Sequence, residues 1–194
     1  MALILSNATK HSGNAQFQND MLETVRQSVE KINRMLKQLH AEPERPAARS
    51  AVELAGLLRD IVATQKQLGP DISLELQAND LSVAADEDRL KAVVEQLVQN
   101  AVEAVGDKGR VQVRLAGDGT MAIIEVEDNG PGMDDEFVRE KLFHPFATTK
   151  GLGYGIGVYE SRDFASSLGG RLEVTSHPGR GTIMRMRLPA IGAP

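Results

Sequence analysis

Cysteine is absent from the 194 residues, which excludes disulfides and thiolate metal sites and suits a reducing compartment. Tryptophan is absent too, and with only five Phe and two Tyr the core has to be built mainly from Leu, Ile, Val, Ala and Met. No apolar run approaches the roughly 18–20 residues that span a bilayer. Met1-Ala2-Leu3-Ile4-Leu5 is too short for a signal peptide and has no basic region before it. It reads instead as the stub of a helix from a longer protein. Blocks of Lys or Arg are missing and the net charge is −5, so no nucleic-acid partner is expected. These absences predict a cytoplasmic stretch without membrane contact. They leave open an inner-membrane anchor in a parent protein.

What is present is an ordinary globular mixture, 41% hydrophobic and 25% charged, long enough for one domain with a sizeable core and an appendage. Residues 1–11 are compatible with a short helix, broken at Ser12-Gly13-Asn14. Leu22, Val25, Val29, Ile32, Leu36 and Leu39 then form an a/d heptad pattern, widened by Met21 and Met35. Such a stripe packs either on its own domain or on a partner helix. The Pro-containing linker 41–49 separates it from the domain beyond, which favours a partner helix, most simply a second copy of this chain.

Ser50 with Glu53 forms a capping-box pattern ahead of Leu54, Leu57, Leu58, Ile61 and Val62, and predicts a helix stopped by Gly69-Pro70. Ile72, Leu74 and Leu76 alternate with polar residues as in a half-buried strand, and Leu81–Ala84 reads as a second, short one. Asp86 can cap a helix ending at Gly106, with Leu90, Val93, Val94, Leu97, Ala101 and Ala104 as its apolar stripe. Gln96, Asn100 and Glu103 form a polar row beside that stripe. Such a row is either a solvated edge or, beside a phosphate loop, a place for Asn100 to meet hydrated Mg²⁺. Val111–Leu115 and Met121–Val126 read as a hairpin around Gly117-Asp118-Gly119.

The stretch from Glu125 to Gly157 holds the unusual chemistry. A strand delivers Asp128 onto a turn of Asn129, Gly130, Pro131 and Gly132, and glycines later alternate at 151, 153, 155 and 157 ahead of a helix over Tyr154–Leu168. Closely spaced glycines let backbone N–H groups approach an anion, and a helix starting there adds its dipole. Alone, such a loop is also compatible with a plain connection, and it fits neither G-x-x-x-x-G-K-[ST] nor G-x-G-x-x-G, because Ile156 occupies the last position. Between Gly130 and Gly153 only a turn of helix around Asp135–Leu142 is expected. A connection that long suits a mobile lid. Arg171–Ser176 and Thr182–Leu188 predict a closing hairpin, with Pro189 ending the sheet. The order αββαββ-lid-αββ predicts an α/β sandwich of two layers, a mostly antiparallel sheet with helices on one face.

E-Q-L-V-Q-N-A-V-E-A resembles the N box of histidine kinases and of the wider family shared with gyrase, Hsp90 and MutL. D-N-G-P-G-M resembles the first glycine box, F-H-P-F-A-T-T-K the F box and start of the lid, and G-L-G-Y-G-I-G the second glycine box. H-P-G-R-G-T-I-M-R-M-R-L-P is similar to the closing hairpin of the kinase catalytic domain, so the likeness covers about residues 50–190 in the right order. The run T-T-K-G-L-G-Y-G-I-G-V-Y-E-S-R is more similar still to the PrsK type, kinases associated with the exosortase/PEP-CTERM system.

The resemblance implies the Bergerat fold over residues 50–190, a partial helical dimerisation segment over 1–40, the linker 41–49, ATP or ADP as ligand, Mg²⁺, a homodimer through the N-terminal helix and a response-regulator receiver domain as partner. It assigns Asn100 to Mg²⁺ and triphosphate, Asp128 to the adenine amino group, Gly130 and Gly132 to close approach of the base, and Thr182 to the adenine's surroundings. Gly153, Gly155 and Gly157, with Ile156 among them, would cradle phosphates. Thr148 and Thr149 would belong to the lid, and Lys150 would offer a point charge. Two departures matter. ATPase branches carry a Glu one turn before the metal-binding Asn, where this chain has Gln96, and an amide cannot serve as general base. The sequence therefore leans toward transfer to a protein histidine over hydrolysis, with an ATPase, a serine kinase of the anti-sigma type or a nucleotide-binding interaction module as alternatives. None of His11, His40, His144 and His177 has the mid-helix setting and acidic neighbour of an acceptor, so the acceptor is expected upstream of Met1.

Overall fold

In the central strands every second residue is apolar and buried, and that alternation sets the layers. The computed structural model describes residues 49–66, 71–106, 109–145 and 155–191. Of the two compact units, Met1–Pro46 and Ala47–Pro194, every described residue belongs to the second. The expected heptad helix and the residue 1–11 stub lie outside the described residues.

The elements in chain order are β1 (Ser50–Glu53), α1 (Leu54–Gln65), β2 (Asp71–Leu76), β3 (Ser82–Ala85), α2 (Glu87–Val105), β4 (Arg110–Asp118), β5 (Met121–Asp128), α3 (Asp135–Glu140), α4 (Gly157–Ser167), β6 (Arg171–His177) and β7 (Gly181–Ile191). The sheet runs β1-β3-β7-β5-β4-β2, with β6 also beside β7. Among the described residues only β2 and β4 pair parallel; the other pairs are antiparallel. Val111, Val113, Leu115, Ala122, Ile124, Val126, Met184, Met186 and Leu188 point to one face and meet Leu58, Ile61, Leu90, Val94 and Leu97 of α1 and α2 there. This is the expected two-layer sandwich. No helix among the described residues is long and apolar enough to cross a membrane.

α2 obeys its sequence signals. The Asp86 carboxylate accepts from the Arg89 N–H at 2.8 Å, and Glu87 and Asp88 sit in the first turn where the helix dipole favours them. Gly106, at φ +62°, ends the helix.

Several boundaries differ from the sequence expectation. Ser50 caps nothing: residues 50–53 are a strand paired with β3, and Val52 is buried against Val83. Glu53 is itself the cap of α1, its carboxylate accepting from Ala55 N at 2.8 Å and Gly56 N at 2.7 Å. Long-range pairing overrode a local motif. The β4–β5 turn is the tighter pair Gly119-Thr120, with Asp118 opposite Met121. Asp128 lies not on a turn but at the end of β5, opposite Val111 and Thr182. Pro189 does not end the sheet. It occupies the last pair with β5, after which Ala190 N donates to Thr120 O at 2.8 Å and the strand continues beside β3. α4 begins at Gly157, past Gly155 and Ile156 of the expected helix, because Gly155 adopts φ +63°, outside the helical region.

The outer face of the sheet is organised by charge. Glu75, Arg114, Glu125, Arg185 and Glu173 form one row of alternating sign across five strands. Glu125 is the middle of it: only 7% exposed, it accepts from Arg114 on one side and from Arg185 Nε at 2.8 Å on the other. Cross-strand opposite charges support the pairing on which they sit.

Glu125→Ala is expected to cost about 1–3 kcal/mol, since it leaves two guanidinium groups facing each other with one acceptor fewer. Urea unfolding checks this, and a change within experimental error would reduce the row to decoration. Gly181→Ala is expected to cost roughly 2–4 kcal/mol, because Gly181 sits at φ +92° and its Cβ would run into the Asp128 carbonyl oxygen. The same unfolding experiment reads it, and a loss under about 1 kcal/mol would mean that the two strands can part at little cost.

Candidate nucleotide site

At one end of the sheet the apolar inner face gives way to polar groups. Asp128 of β5, Thr182 of β7 and Ser176 of β6 are register neighbours in a single row. The next rows, Val126–Met184–Val174 and Ile124–Met186–Leu172, are wholly apolar. All three polar residues are buried, which is unfavourable unless each is hydrogen-bonded or serves a ligand. Ser176 Oγ accepts from Met133 N at 2.8 Å, donates to Gly181 O at 3.1 Å and lies 2.9 Å from Thr182 Oγ1. Asp128 Oδ1 accepts from Gly130 N at 2.8 Å.

The loop after Asp128 is clamped on both sides. Asn129 Oδ1 accepts from Arg110 N at 2.7 Å, and Gly179 N donates to Pro131 O at 2.7 Å. Gly132, at φ +66°, packs so closely that a Cβ would strike the His177 carbonyl. The first part of the expected lid is therefore tied to the β6–β7 turn. It continues into α3, capped by Asp134 Oδ1 on Phe137 N at 2.7 Å.

α2 forms the wall that joins the parts. Gln96, Asn100 and Ala104 lie four residues apart along one side of it. At one end a Cβ on Gly130 would come within 3.0 Å of Ala104 O, so the loop after β5 rests on the helix. At the other a Cβ on Gly157 would come within 2.8 Å of Gln96 Cγ, so the start of α4 rests there too. Asn100 stands between these contacts, its Oδ1 accepting from Gln96 Nε2 at 3.1 Å. No side chain caps α4, so its first N–H groups are open to an anion.

Ring contacts anchor α4 from the other side. Arg162 lies 5.0 Å from the Phe143 ring centre and 5.7 Å from that of Tyr159, and Arg89 lies 5.3 Å from that of Phe164. Glu160 lies in the first turn of α4. Desolvation raises its carboxyl above the ordinary carboxylate range, against the opposing pull of Arg89.

Asn100, Asp128, Gly130, Gly132, Gly155, Ile156, Gly157 and Thr182 are thus gathered around α2 and the adjoining end of the sheet. Thr148, Thr149, Lys150 and Gly153 lie outside the described residues, as do His11 and His40. His144 and His177 are exposed, and His177 Nδ1 lies 4.0 Å from Asp135 Oδ1. Ser176 and Gly181 were not singled out by sequence pattern. Ser176 had a signal, a hydroxyl at the third inward position of Leu172-x-Val174-x-Ser176, where alternation calls for an apolar residue. Among the described residues no group of three or more His, Cys, Asp or Glu could hold a metal ion. A cation here would depend on few protein ligands and on the ligand's own oxygens, the habit of Mg²⁺.

Residues 85–191, which contain every described residue of this site, match the family described as histidine kinase-, DNA gyrase B-, and HSP90-like ATPase. The C4-dicarboxylate transport sensor protein DctB of Rhizobium meliloti (strain 1021) is 35% identical over 172 residues, covering 87% of this chain and 27% of that protein. The signal transduction histidine-protein kinase AtoS of Escherichia coli (strain K12) is 31% identical over 180 residues, 88% of this chain and 29% of that protein. The chain spans less than a third of either relative. The solved catalytic domain of histidine kinase ThkA aligns with a TM-score of 0.65 at 29% identity, over 73% of this chain and 95% of that one. Full-length ShkA in complex with AMPPNP shares the fold, with a TM-score of 0.71 at 22% identity, over 91% of this chain and 39% of that one. With a family match over more than half its length, and with Asp128, Asn100 and the start of α4 set around one helix, the chain belongs to the histidine kinase-, DNA gyrase B- and HSP90-like ATPase family.

Proposed function

We propose that residues 50–190 are the ATP-binding catalytic domain of a two-component sensor histidine kinase, which moves the γ-phosphoryl group of ATP to a histidine that is none of the four in this sequence. The observation that carries the reading is the position of Asn100, between the loop after Asp128 and the uncapped start of α4. A base held at Asp128 would have its phosphates run along α2 past Asn100 toward α4. Asp128 would accept from the exocyclic amine of adenine through its carboxylate. Gly130 and Gly132 would let the base lie against backbone, with Thr182 beside it.

Asn100 would hold Mg²⁺ through its amide oxygen, and the bound ion would neutralise charge along the phosphates. Gly153, Gly155, Ile156 and Gly157 would surround the phosphate oxygens, with Thr148, Thr149 and Lys150 closing over them. In the transfer, the bond from the γ-phosphorus to the ADP oxygen would break as the lone pair of the unprotonated imidazole nitrogen bonds to that phosphorus, while the other ring nitrogen gives its proton to a neighbouring base or to water. Such chemistry is mainly positioning and charge stabilisation. Gln96 weighs against hydrolysis: its amide donates to Asn100 Oδ1 and has no basic site for a water proton.

The same proposal includes the division into a helical dimerisation segment over 1–40, a linker over 41–49 and the domain from 50, a homodimer through the first of these, and a receiver domain as the next recipient. The finer likeness to the PrsK type rests on T-T-K-G-L-G-Y-G-I-G-V-Y-E-S-R alone.

Asp128→Asn keeps an oxygen for Gly130 N but turns the other acceptor into a donor. ATP affinity is expected to fall roughly tenfold to a hundredfold with the fold intact. Calorimetric titration reads it, and equal affinity for both proteins removes Asp128 from the base site. Asn100→Asp places a carboxylate against phosphates and should abolish the gain in affinity that Mg²⁺ confers. Unchanged Mg²⁺ dependence would return Asn100 to a solvated helix edge. With labelled ATP and Mg²⁺, acid-labile, alkali-stable label should appear on a supplied histidine-bearing hairpin and not on this chain alone. Label on the isolated chain that disappears in His11→Ala or His40→Ala would show that the acceptor is internal.

A further inference from the structure

We infer that Ser176 is a positioning residue that sets the purine specificity of this site by fixing the direction in which the Thr182 hydroxyl points its proton. The inference rests on the proposed adenine site and adds to it the means by which a 6-amino purine is told from a 6-oxo one.

A serine hydroxyl has one proton to donate and two lone pairs to accept with. Ser176 has three polar contacts, which use that capacity fully. Met133 N–H can only donate to it, at 2.8 Å. The Gly181 carbonyl can only accept from it, at 3.1 Å. Its single proton being placed on Gly181 O, the remaining contact, 2.9 Å to Thr182 Oγ1, is made only if Thr182 donates to Ser176. All three bonds form together in this one arrangement. Leaving any of them unmade inside a buried row is costly.

The consequence falls on Thr182. With its proton turned toward Ser176, it can offer a ligand only lone pairs. Its register neighbour on the other side is Asp128, whose carboxylate also only accepts. Together they present acceptors to whatever lies at this end of the sheet. An exocyclic amine meets such a row with N–H groups, whereas a ring carbonyl at the same position meets it lone pair to lone pair. Sites that leave buried polar groups mismatched discriminate strongly. Ser176 itself need not touch the base. It also holds the far end of the loop over the base through Met133 N, so its loss has a second, purely structural effect, which the experiment has to separate.

The test compares ADP with IDP, which carries a carbonyl where ADP carries the amine, by calorimetric titration in Mg²⁺. The wild-type chain is expected to prefer ADP. Ser176→Ala frees the Thr182 proton to turn toward the ligand, so the ADP-to-IDP preference should fall at least about fivefold, equivalent to one hydrogen bond. Ser176→Thr keeps a hydroxyl and should keep the wild-type ratio. A merely structural serine would weaken both nucleotides equally and leave the ratio alone, which overturns the inference while the proposed function stands. A wild-type chain that binds neither nucleotide overturns both. If Ser176→Ala does not fold, Ser176→Cys is read in its place, because a thiol is a weak hydrogen-bond partner. A smaller fall of the same sign is expected, and an unchanged ratio overturns the inference.

Discussion

β5 and β7 can lie side by side at the polar end of the sheet only because Gly181 has no Cβ. A methyl group there would occupy the place of the Asp128 carbonyl oxygen, at a φ of +92° that other residues seldom adopt. Much depends on that close approach. It sets Asp128 opposite Thr182, and the turn after β6 sets Thr182 opposite Ser176. It brings Gly179 N within 2.7 Å of Pro131 O, so that the loop leaving β5 folds back instead of running into solvent. Folded back, the loop rests on α2 at Ala104. A sheet register, decided by one missing side chain, sets Asp128 beside Thr182 and folds the loop back over this end of the sheet.

α2 serves two purposes with two sides of one helix. Leu90, Val94, Leu97, Val98 and Ala101 are buried against the sheet, and each of the larger ones contributes about 1.5–3 kcal/mol by leaving water. Gln96 and Asn100 run along the rim, where a hydrogen bond between neutral amides is worth only about 0.5–1.5 kcal/mol. The helix is therefore held by its apolar side whatever its polar side does, and the polar side is free to carry chemistry. Position does the rest, because residues four apart along a rigid rod reach two different loops. The opposite face of the sheet needs no helix. There the row of alternating charge through Glu125 takes the place of a second apolar layer and stays compatible with water.

Helix α2, the alternation of β4, β5 and β7, and the glycine-bearing loop after β5 were all readable from local pattern. Each depends on residues close together in sequence: a cap three residues from its N–H, an apolar stripe of fixed period, a glycine where the backbone turns. Errors arose where a distant partner intervened. Ser50 to Glu53 carry a good capping box and still form a strand, because β3 offered backbone hydrogen bonds and Val52 a place in the core. Gly155 and Ile156 fit the helical pattern, and yet α4 waits for Gly157, which packs against Gln96 from another element.

The site divides in the same way. By itself the sequence determined which chemistry is on offer: an acid before a glycine turn, an amide on a helix rim, glycines ahead of a helix. These are properties of residue type and spacing. Which groups stand together, and what each presents to a ligand, only the tertiary structure decided. Asn100 lies between two loops because α2 is rigid and both loops pack on it, a relation among three separate parts of the chain. Ser176 joins the row beside Asp128 through the registers of β5, β6 and β7, and pairing registers are set by the whole sheet, whose interlocking no local pattern records.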